Sequence, residues 1–239
     1  MSEGFLPSRH GFAFDNAWPA QPAVVVSTPF GKVPFGSANA GLCGGMTFAA
    51  LDYWHAGKPP PADRPPLGTP LYSFIVRRLL ESWRLPGGVA RYYDWMGMSD
   101  SDGGGLHLFG RPVLPRRGIG SRTRSGEWPH VRSSLDRGAP VTLGVITVAS
   151  RRPRDLIHNH QVLAYGYRLS GDQVTLRVYD PNRAGRDDIA IVFTTGQTTG
   201  RTTGKPTDKT TFTHNLGIGR SPVRGFFRTR YRPSRSLPA

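Results

Sequence analysis

The first half of the chain carries apolar residues at helical spacing. Residues 46–54 are apolar on nearly every side, which predicts a buried helix rather than an amphipathic one. In 69–83 apolar residues recur every three or four positions, and Thr69 is a typical N-cap because a proline follows it at the first helical position. The same spacing predicts a shorter helix at 89–96 and another that begins near Ser125.

The region after Pro140 has a different pattern, in which Val, Ile, Tyr, Thr and Phe dominate short runs separated by turn residues. The Thr- and Gly-rich stretch 194–211 predicts an exposed hairpin tip. Helices followed by an antiparallel sheet are typical of an α+β fold. The predicted strands are 141–148, 157–168, 173–179, 189–194 and 224–231.

These patterns predict a single domain over the whole chain. Its N-terminal arm spans 1–36 and includes a small strand. The helical half covers about 37–138 and the β half about 139–232, followed by a basic tail at 233–239.

The composition is that of a globular protein rich in turns. The chain has 239 residues, of which 37% are hydrophobic, and its 30 glycines and 22 prolines predict many turns and a long loop at 99–125. The single cysteine excludes an intramolecular disulfide. The start of the chain lacks the basic and apolar segments of a signal peptide, and no apolar run approaches the roughly 20 residues that span a bilayer. We therefore expect a soluble protein made in the cytoplasm, with export without a cleaved signal left open.

The chain is strongly basic, with a formal net charge of +15. Such a charge favours association with nucleic acid, anionic lipid or acidic polymers. The arginines are scattered, however, and the sequence contains no recognisable nucleic-acid module. We interpret the charge mainly as a contribution to solubility, with nonspecific anionic partners as the alternative. The densest basic segments are 116–117, 151–154 and 224–235.

Cys43 is the first candidate for chemistry. It follows a glycine-rich segment and stands at the start of the helix predicted at 46–54. The positive end of a helix dipole favours the thiolate, which is the nucleophilic form of cysteine. The alternative is a small buried apolar residue, which is how most free cysteines behave. A nearby base decides between these interpretations.

Two histidines supply candidates for that base. His158 and His160 are predicted to share one face of the strand at 157–168. His160 is the candidate base, and His158 is interpreted as a structural residue or one at the rim of the site. A His-x-His pair can bind a metal, but no third ligand has suitable spacing, so we expect no metal and no other cofactor.

The next strand supplies a carboxylate. If 173–179 pairs with the histidine strand through a three-residue loop at 169–171, Asp180 lies directly opposite His160. A slip of one residue would move Asp180 to the other face, so the prediction depends on this register. Asn182 is the alternative partner for His160.

Together these residues predict nucleophilic catalysis. His160 takes the proton of Cys43, and Asp180 holds the imidazole in one orientation. The thiolate attacks an acyl carbon and forms an acyl-enzyme that water hydrolyses. The backbone N–H of Cys43 and the side chain of Asn39 are candidate donors to the oxyanion, although Asn39 is equally suited to a turn.

Two of these segments resemble a known family. The string NHQVLAYGY at 159–167 resembles the strand that carries the catalytic histidine of papain and the cathepsins, and LCGGMTFAAL at 42–51 resembles their nucleophile helix. The resemblance implies a papain-like fold and a cysteine peptidase activity with a Cys-His-Asp triad. The chain departs from the family at Gly44, where the family has Trp, and at Ser37, where it has the oxyanion glutamine. An aspartate after the histidine strand, Asp180, resembles bacterial papain-like peptidases that trim leader peptides.

The sequence thus predicts a cysteine-dependent amide or peptide hydrolase that acts on a peptide or protein substrate. An acyl-transfer enzyme, a deamidase or a cell-wall amidase toxin would use the same three residues and is the second class. The third class is an inactive, basic binding protein on the same scaffold, which would show DNA affinity that falls steeply with salt.

Overall fold

The computed structural model describes residues 4–18, 24–28, 31–35, 41–83, 87–102, 106–108, 111–114, 117–196 and 211–238. Helices occupy the N-terminal part, and a curled six-stranded antiparallel sheet follows them. The predicted α+β class, with a helical half before an antiparallel β half, is therefore confirmed. The region predicted as a hairpin tip lies largely outside the described residues.

The helices follow the apolar spacing of the sequence. Thr69 caps its helix as predicted, because its hydroxyl accepts a hydrogen bond from the Tyr72 amide at 3.4 Å. A π-helical turn, Thr123–Glu127, joins the fifth helix to the sixth. None of the helices among the described residues combines the length and apolarity needed to cross a membrane. The helices are α1 Pro7–His10, α2 Cys43–His55, α3 Pro70–Trp83, α4 Gly87–Met96, α5 Ile119–Arg122 and α6 Trp128–Asp136.

The strands form one large sheet and two small hairpins. The large sheet has the order β10-β5-β6-β7-β8-β9, and β1 pairs with β2 and β3 with β4. The hairpin of β3 and β4 lies in the region predicted as a loop, so that prediction was wrong. The strands are β1 Val24–Thr28, β2 Gly31–Phe35, β3 Leu106–Leu108, β4 Arg111–Leu114, β5 Val141–Ile146, β6 His160–Ser170, β7 Gln173–Tyr179, β8 Ala190–Thr194, β9 Thr213–His214 and β10 Gly225–Arg228.

The histidine strand begins later than the sequence predicts. Residues Pro153–His158 form a 3-10 helix, and β6 starts only at His160. A proline at the first position suits a helix start, because its fixed φ fits the first turn and its missing N–H is not needed there. His158 therefore does not share a strand face with His160, which corrects the prediction.

Both faces of the sheet are buried. One face packs with the helices in a core that includes Ile75, Trp95 and Leu163, and α2 lies against β6 on this side. The other face, with Val162 and Val178, is closed by α6 and by an aromatic group around Phe193. His160 stands at the first position of β6, where the sheet ends and α2 begins. The packing of α2 against β6 thus brings the start of the helix close to the start of the strand.

The hairpin of β6 and β7 differs from the predicted register. Its turn has two residues, since Ser170 pairs with Gln173, and Gly171 takes the left-handed conformation with φ 54°. One extra residue of β6 lies between Ala164 and Gly166 as a β-bulge. The predicted three-residue loop, and the direct pairing of His160 with Asp180 that followed from it, were therefore wrong.

The bulge has a consequence for the side chains beyond it. Between the turn and the bulge, Gly166 pairs with Arg177. If this register continued without the extra residue, Asp180 would lie on the opposite face of the hairpin from His160. With it, Leu163 pairs with Tyr179, so Asp180 continues toward Val162 on the face that His160 shares. The two residues are diagonal neighbours rather than direct partners, and long polar side chains reach across a diagonal pair.

Candidate active site

Cys43 is the first residue of α2, as the sequence predicts, and its side chain is half-buried. The preceding Gly41 has φ 46°, a backbone conformation that L-residues with side chains rarely adopt. This turn brings the chain abruptly into the helix. The thiol therefore stands at the positive end of the helix dipole and remains open to solvent on one side.

Asn16 holds this turn in place from the N-terminal arm. Its side-chain oxygen accepts hydrogen bonds from the Leu42 amide at 2.7 Å and from the Trp18 indole at 2.8 Å. Its side-chain nitrogen donates to the side-chain oxygen of Asn182 at 3.0 Å. One amide side chain thus joins the segment before Cys43 to the segment after Asp180. Asn16 was not predicted as a site residue, because nothing in the neighbouring sequence distinguishes it from other loop asparagines.

His160 and Asp180 form a buried hydrogen bond. The His160 Nε2 lies 2.7 Å from the Asp180 Oδ1, and the side chains are 4% and 0% exposed. The Asp180 carboxylate also accepts hydrogen bonds from the Asn182 amide at 2.8 Å and from the Gly217 amide at 2.7 Å. Three donors therefore fix the carboxylate, and the carboxylate fixes the imidazole.

His160 and Asp180 each stabilise the charged form of the other. Burial by itself lowers the pKa of His160, but the Asp180 carboxylate, its hydrogen bond and the contact with Cys43 outweigh it and raise the pKa to about 10. Burial by itself raises the pKa of Asp180, but the charge and hydrogen bond of His160, with the two amide donors, lower it. The pair is therefore an imidazolium and a carboxylate at neutral pH.

The Cys43 thiol is close enough to His160 that its hydrogen bond and its charge both help to raise the pKa of that imidazole. Since the Nε2 of His160 contacts Asp180, the Nδ1 is the nitrogen left for the sulfur. Cys43, His160 and Asp180 therefore lie next to one another with the imidazole in the middle, and we call them the Cys-His-Asp cluster. Two of the three side chains are buried, and the half-buried thiol is the one that faces outward.

The packing behind Cys43 leaves no room for a larger residue. A Cβ atom on Gly44 would lie 2.5 Å from the Ser82 hydroxyl and 2.6 Å from the Gln161 side-chain nitrogen. That nitrogen donates to the Ser82 hydroxyl at 3.1 Å, and both side chains are buried. Gly44 and Gln161 are the immediate chain neighbours of Cys43 and His160. This contact therefore holds α2 against β6 next to Cys43 and His160.

The remaining candidates are placed elsewhere. The side-chain nitrogen of Asn182 donates to the Gly217 carbonyl at 3.0 Å, so only its backbone amide serves Asp180. His158 is exposed at the end of the 3-10 helix, where its carbonyl accepts a hydrogen bond from Thr147. Asn39, the predicted oxyanion donor, lies outside the described residues. In the part of the chain that the structure describes, no group of three or more His, Cys, Asp or Glu side chains is arranged to hold a metal ion.

Comparison with known proteins yields no relative. No protein-family model, no curated protein and no solved structure matches this chain.

Proposed function

We propose that the chain is a cysteine-dependent amide or peptide hydrolase, with Cys43 as nucleophile, His160 as proton carrier and Asp180 as the residue that orients the imidazole. The observation that carries this proposal is the row formed by a half-buried thiol, an imidazole and a buried carboxylate at 2.7 Å from the imidazole. The local resemblance of residues 42–51 and 159–167 to the nucleophile helix and histidine strand of papain-like peptidases adds to it.

The chemistry follows from the charges. An imidazolium beside a thiol at a helix N-terminus stabilises the thiolate. The sulfur attacks the carbonyl carbon of the substrate, and the carbonyl electron pair moves to the oxygen. The backbone N–H of Cys43 is a donor for this oxyanion, since the first N–H groups of a helix have no partner within the helix.

Collapse of this intermediate breaks the C–N bond, and the amine leaves with the proton of His160. A thioester between Cys43 and the acyl group remains. Water then attacks the thioester carbon while His160 takes a proton from it, and the C–S bond breaks to release a carboxylic acid. Throughout, Asp180 keeps the charge of the imidazolium compensated and its ring in place.

The proposal is tested on the thiol itself, because Cys43 is the only cysteine in the chain. We expect iodoacetamide to label the folded protein at pH 6 at least about 100-fold faster than the chain unfolded in urea, since an ordinary thiol with a pKa near 8.5 is almost fully protonated at that pH. His160→Ala should remove the excess rate. His158→Ala is the matched control and should leave it unchanged, because its side chain is exposed outside the cluster.

Labelling of the folded protein at the rate of the unfolded chain would contradict an activated nucleophile. The substrate class requires a second measurement. A set of fluorogenic peptide amides should be cleaved by the wild type, with an acyl adduct on Cys43 visible by mass spectrometry, and Cys43→Ala should abolish both. Fast labelling of Cys43 without cleavage of any peptide, but with release of ammonia from glutamine side chains, would identify a deamidase instead.

A further inference from the structure

A second feature of the protein is a cavity whose lining residues do not include Cys43, His160 or Asp180. It has a volume of about 700 Å³ and lies between α2, α3, α4 and the end of β10. Arginines dominate its charged lining. They are Arg78, Arg91, Arg228, Arg230 and Arg232, with Glu81 as the one acidic residue of the wall. We call this space the arginine cavity.

Three of these arginines occupy alternate positions at the end of β10 and directly after it. Arg228 ends β10, and Arg230 and Arg232 follow it in the sequence FFRTRYRP. All three residues line the cavity. These residues belong to the dense basic segment 224–235, which has no role in the proposed hydrolase chemistry.

The cavity holds more positive charge than its neighbours compensate. Arg78 pairs with Asp52 and Glu81, and it is almost fully buried. Arg91 and Arg228 share a single carboxylate, that of Glu127, at 2.6 Å and 3.0 Å. That leaves the guanidinium groups at positions 230 and 232.

Arg230 and Arg232 are both exposed, and no carboxylate among the described residues lies within ion-pair distance of either. Like charge is crowded here. Burial lowers the pKa of Arg91, and although Glu127 opposes this, the nearby guanidinium groups of Arg228 and Arg230 add to the lowering. An anion bound between these groups would relieve that repulsion.

The start of α4 adds positive electrostatic potential to that of the arginines. The lining includes Gly87 and Gly88, the first residues of α4, and the first turn of that helix carries no acidic residue. The N-terminus of a helix carries a partial positive charge and unpaired N–H groups, and it favours phosphate. The arginines and the helix start therefore favour the same kind of ligand from two walls of one cavity.

We propose that the arginine cavity binds a small molecule that carries several phosphate groups. The planar guanidinium group matches the oxygens of phosphate in pairs, which makes arginine the preferred residue for such ligands. A volume of about 700 Å³ is in the range of small-molecule pockets rather than of polymer grooves. Phe48, Tyr92 and Phe227 line the cavity but are at most 2% exposed, so stacking on a base contributes little and the phosphates supply the affinity.

The test is calorimetric titration of the full chain with sodium tripolyphosphate at a constant ionic strength of about 0.15 M, so that screening is equal throughout. We expect one saturable site per chain. Arg230→Gln with Arg232→Gln should weaken binding about tenfold or more, because charge-assisted hydrogen bonds are lost. The control removes two exposed arginines of another basic segment, Arg151→Gln with Arg152→Gln, and should change the affinity less than twofold.

The two double variants lower the net charge equally, so equal weakening in both would overturn the proposal and leave only bulk charge. Tighter binding of an acidic peptide or of single-stranded DNA at the same arginines would overturn it in favour of a polymer surface. ATP in a parallel titration distinguishes the sources of phosphate, since an affinity above that of tripolyphosphate identifies a nucleotide and an equal one a free polyphosphate.

The helix start is tested separately. Gly87 has open space around its Cα, so both Ala and Asp fit there. Gly87→Asp places a negative charge at the mouth of the cavity and should weaken tripolyphosphate binding about threefold or more, whereas Gly87→Ala should not. Equal affinities in these two variants would remove the helix from the site. Cys43 labelling in the arginine double variant should stay at the wild-type rate, so failure of this proposal and failure of the proposed hydrolase are distinguishable.

Discussion

The Cys-His-Asp cluster and the arginine cavity are adjacent regions connected through Ser82, and they differ in how their charges are paired. Ser82 lines the cavity and also contacts Gly44 and Gln161, the neighbours of Cys43 and His160. In the cluster, the imidazolium and the carboxylate are buried and pair with each other. In the cavity, Arg230 and Arg232 are exposed, and no carboxylate among the described residues pairs with either.

The difference indicates what each region is suited to do. A buried ion pair whose carboxylate accepts three hydrogen bonds has one geometry, and a fixed geometry is what proton transfer requires. An exposed guanidinium group without a carboxylate partner can form an ion pair with an anionic ligand. The first region is therefore suited to chemistry and the second to recognition of an anion.

The largest effect should come from removing the carboxylate of the cluster. Asp180→Asn leaves the buried imidazolium without a counter-charge, and we expect the free energy of unfolding to fall by about 3–5 kcal/mol at pH 6. Urea denaturation measures this loss. Substitution of an exposed carboxylate that pairs with an exposed arginine, Asp188→Asn, is the matched control and should cost less than about 1 kcal/mol.

The pH dependence of that loss gives a sharper test. The pKa of His160 is raised from 6.5 to about 10, so its contribution to stability is complete below about pH 6.5 and is lost as the pH rises toward 10. The pKa of Asp180 is lowered from 3.8, so its contribution is present above that pH and is lost on further acidification. The stability difference between wild type and Asp180→Asn should therefore shrink steadily from pH 6.5 to pH 10. A difference that is constant over this range would contradict the ion pair.

An intermediate effect on the free energy of unfolding should distinguish the tightly packed Gly44 from Gly87, which lies at the open cavity. Gly44→Ala forces its Cβ against Ser82 and Gln161 and should lower the free energy of unfolding by about 1–3 kcal/mol. Gly87→Ala meets nothing within 4 Å and should be neutral or stabilising, since alanine favours helix more than glycine does. Thermal unfolding of both variants measures the contrast. Equal destabilisation at the two positions would show that Gly44 is not under steric constraint.

The smallest effect should come from removing the hydrogen bond between Asn16 and the Leu42 amide, just before α2. Asn16→Ala removes the acceptor for the Leu42 amide, and we expect Cys43 labelling to slow by about threefold to tenfold, with roughly 1–2 kcal/mol lost in unfolding. Asn16→Asp keeps an oxygen acceptor and should restore part of the rate. Labelling is measured where each variant is fully folded, so a loss of stability alone would leave the rate unchanged and would contradict a positioning role for Asn16.

Much of the cluster could be predicted because its signals are local. Gly41 before Cys43 and the apolar run after it indicate a helix that begins at the cysteine. The pairing of His160 with Asp180 was found from an incorrect register, and it holds because the true register differs by an even number of residues at that end of the hairpin. An even difference keeps both residues on the same face, whereas an odd one would separate them.

Local sequence patterns were sufficient to predict α2, α3, α4, α6, most strands of the large sheet and the candidate residues Cys43, His160 and Asp180, because apolar spacing and turn residues act over a few positions. Other features arise only when distant segments pack together. The bulge in β6, the hydrogen bond to Asn16 and the convergence of Arg228, Arg230 and Arg232 with the start of α4 each join residues distant in the chain or depend on a single inserted residue. Such contacts are set by the packing of the whole domain, and no local pattern encodes them.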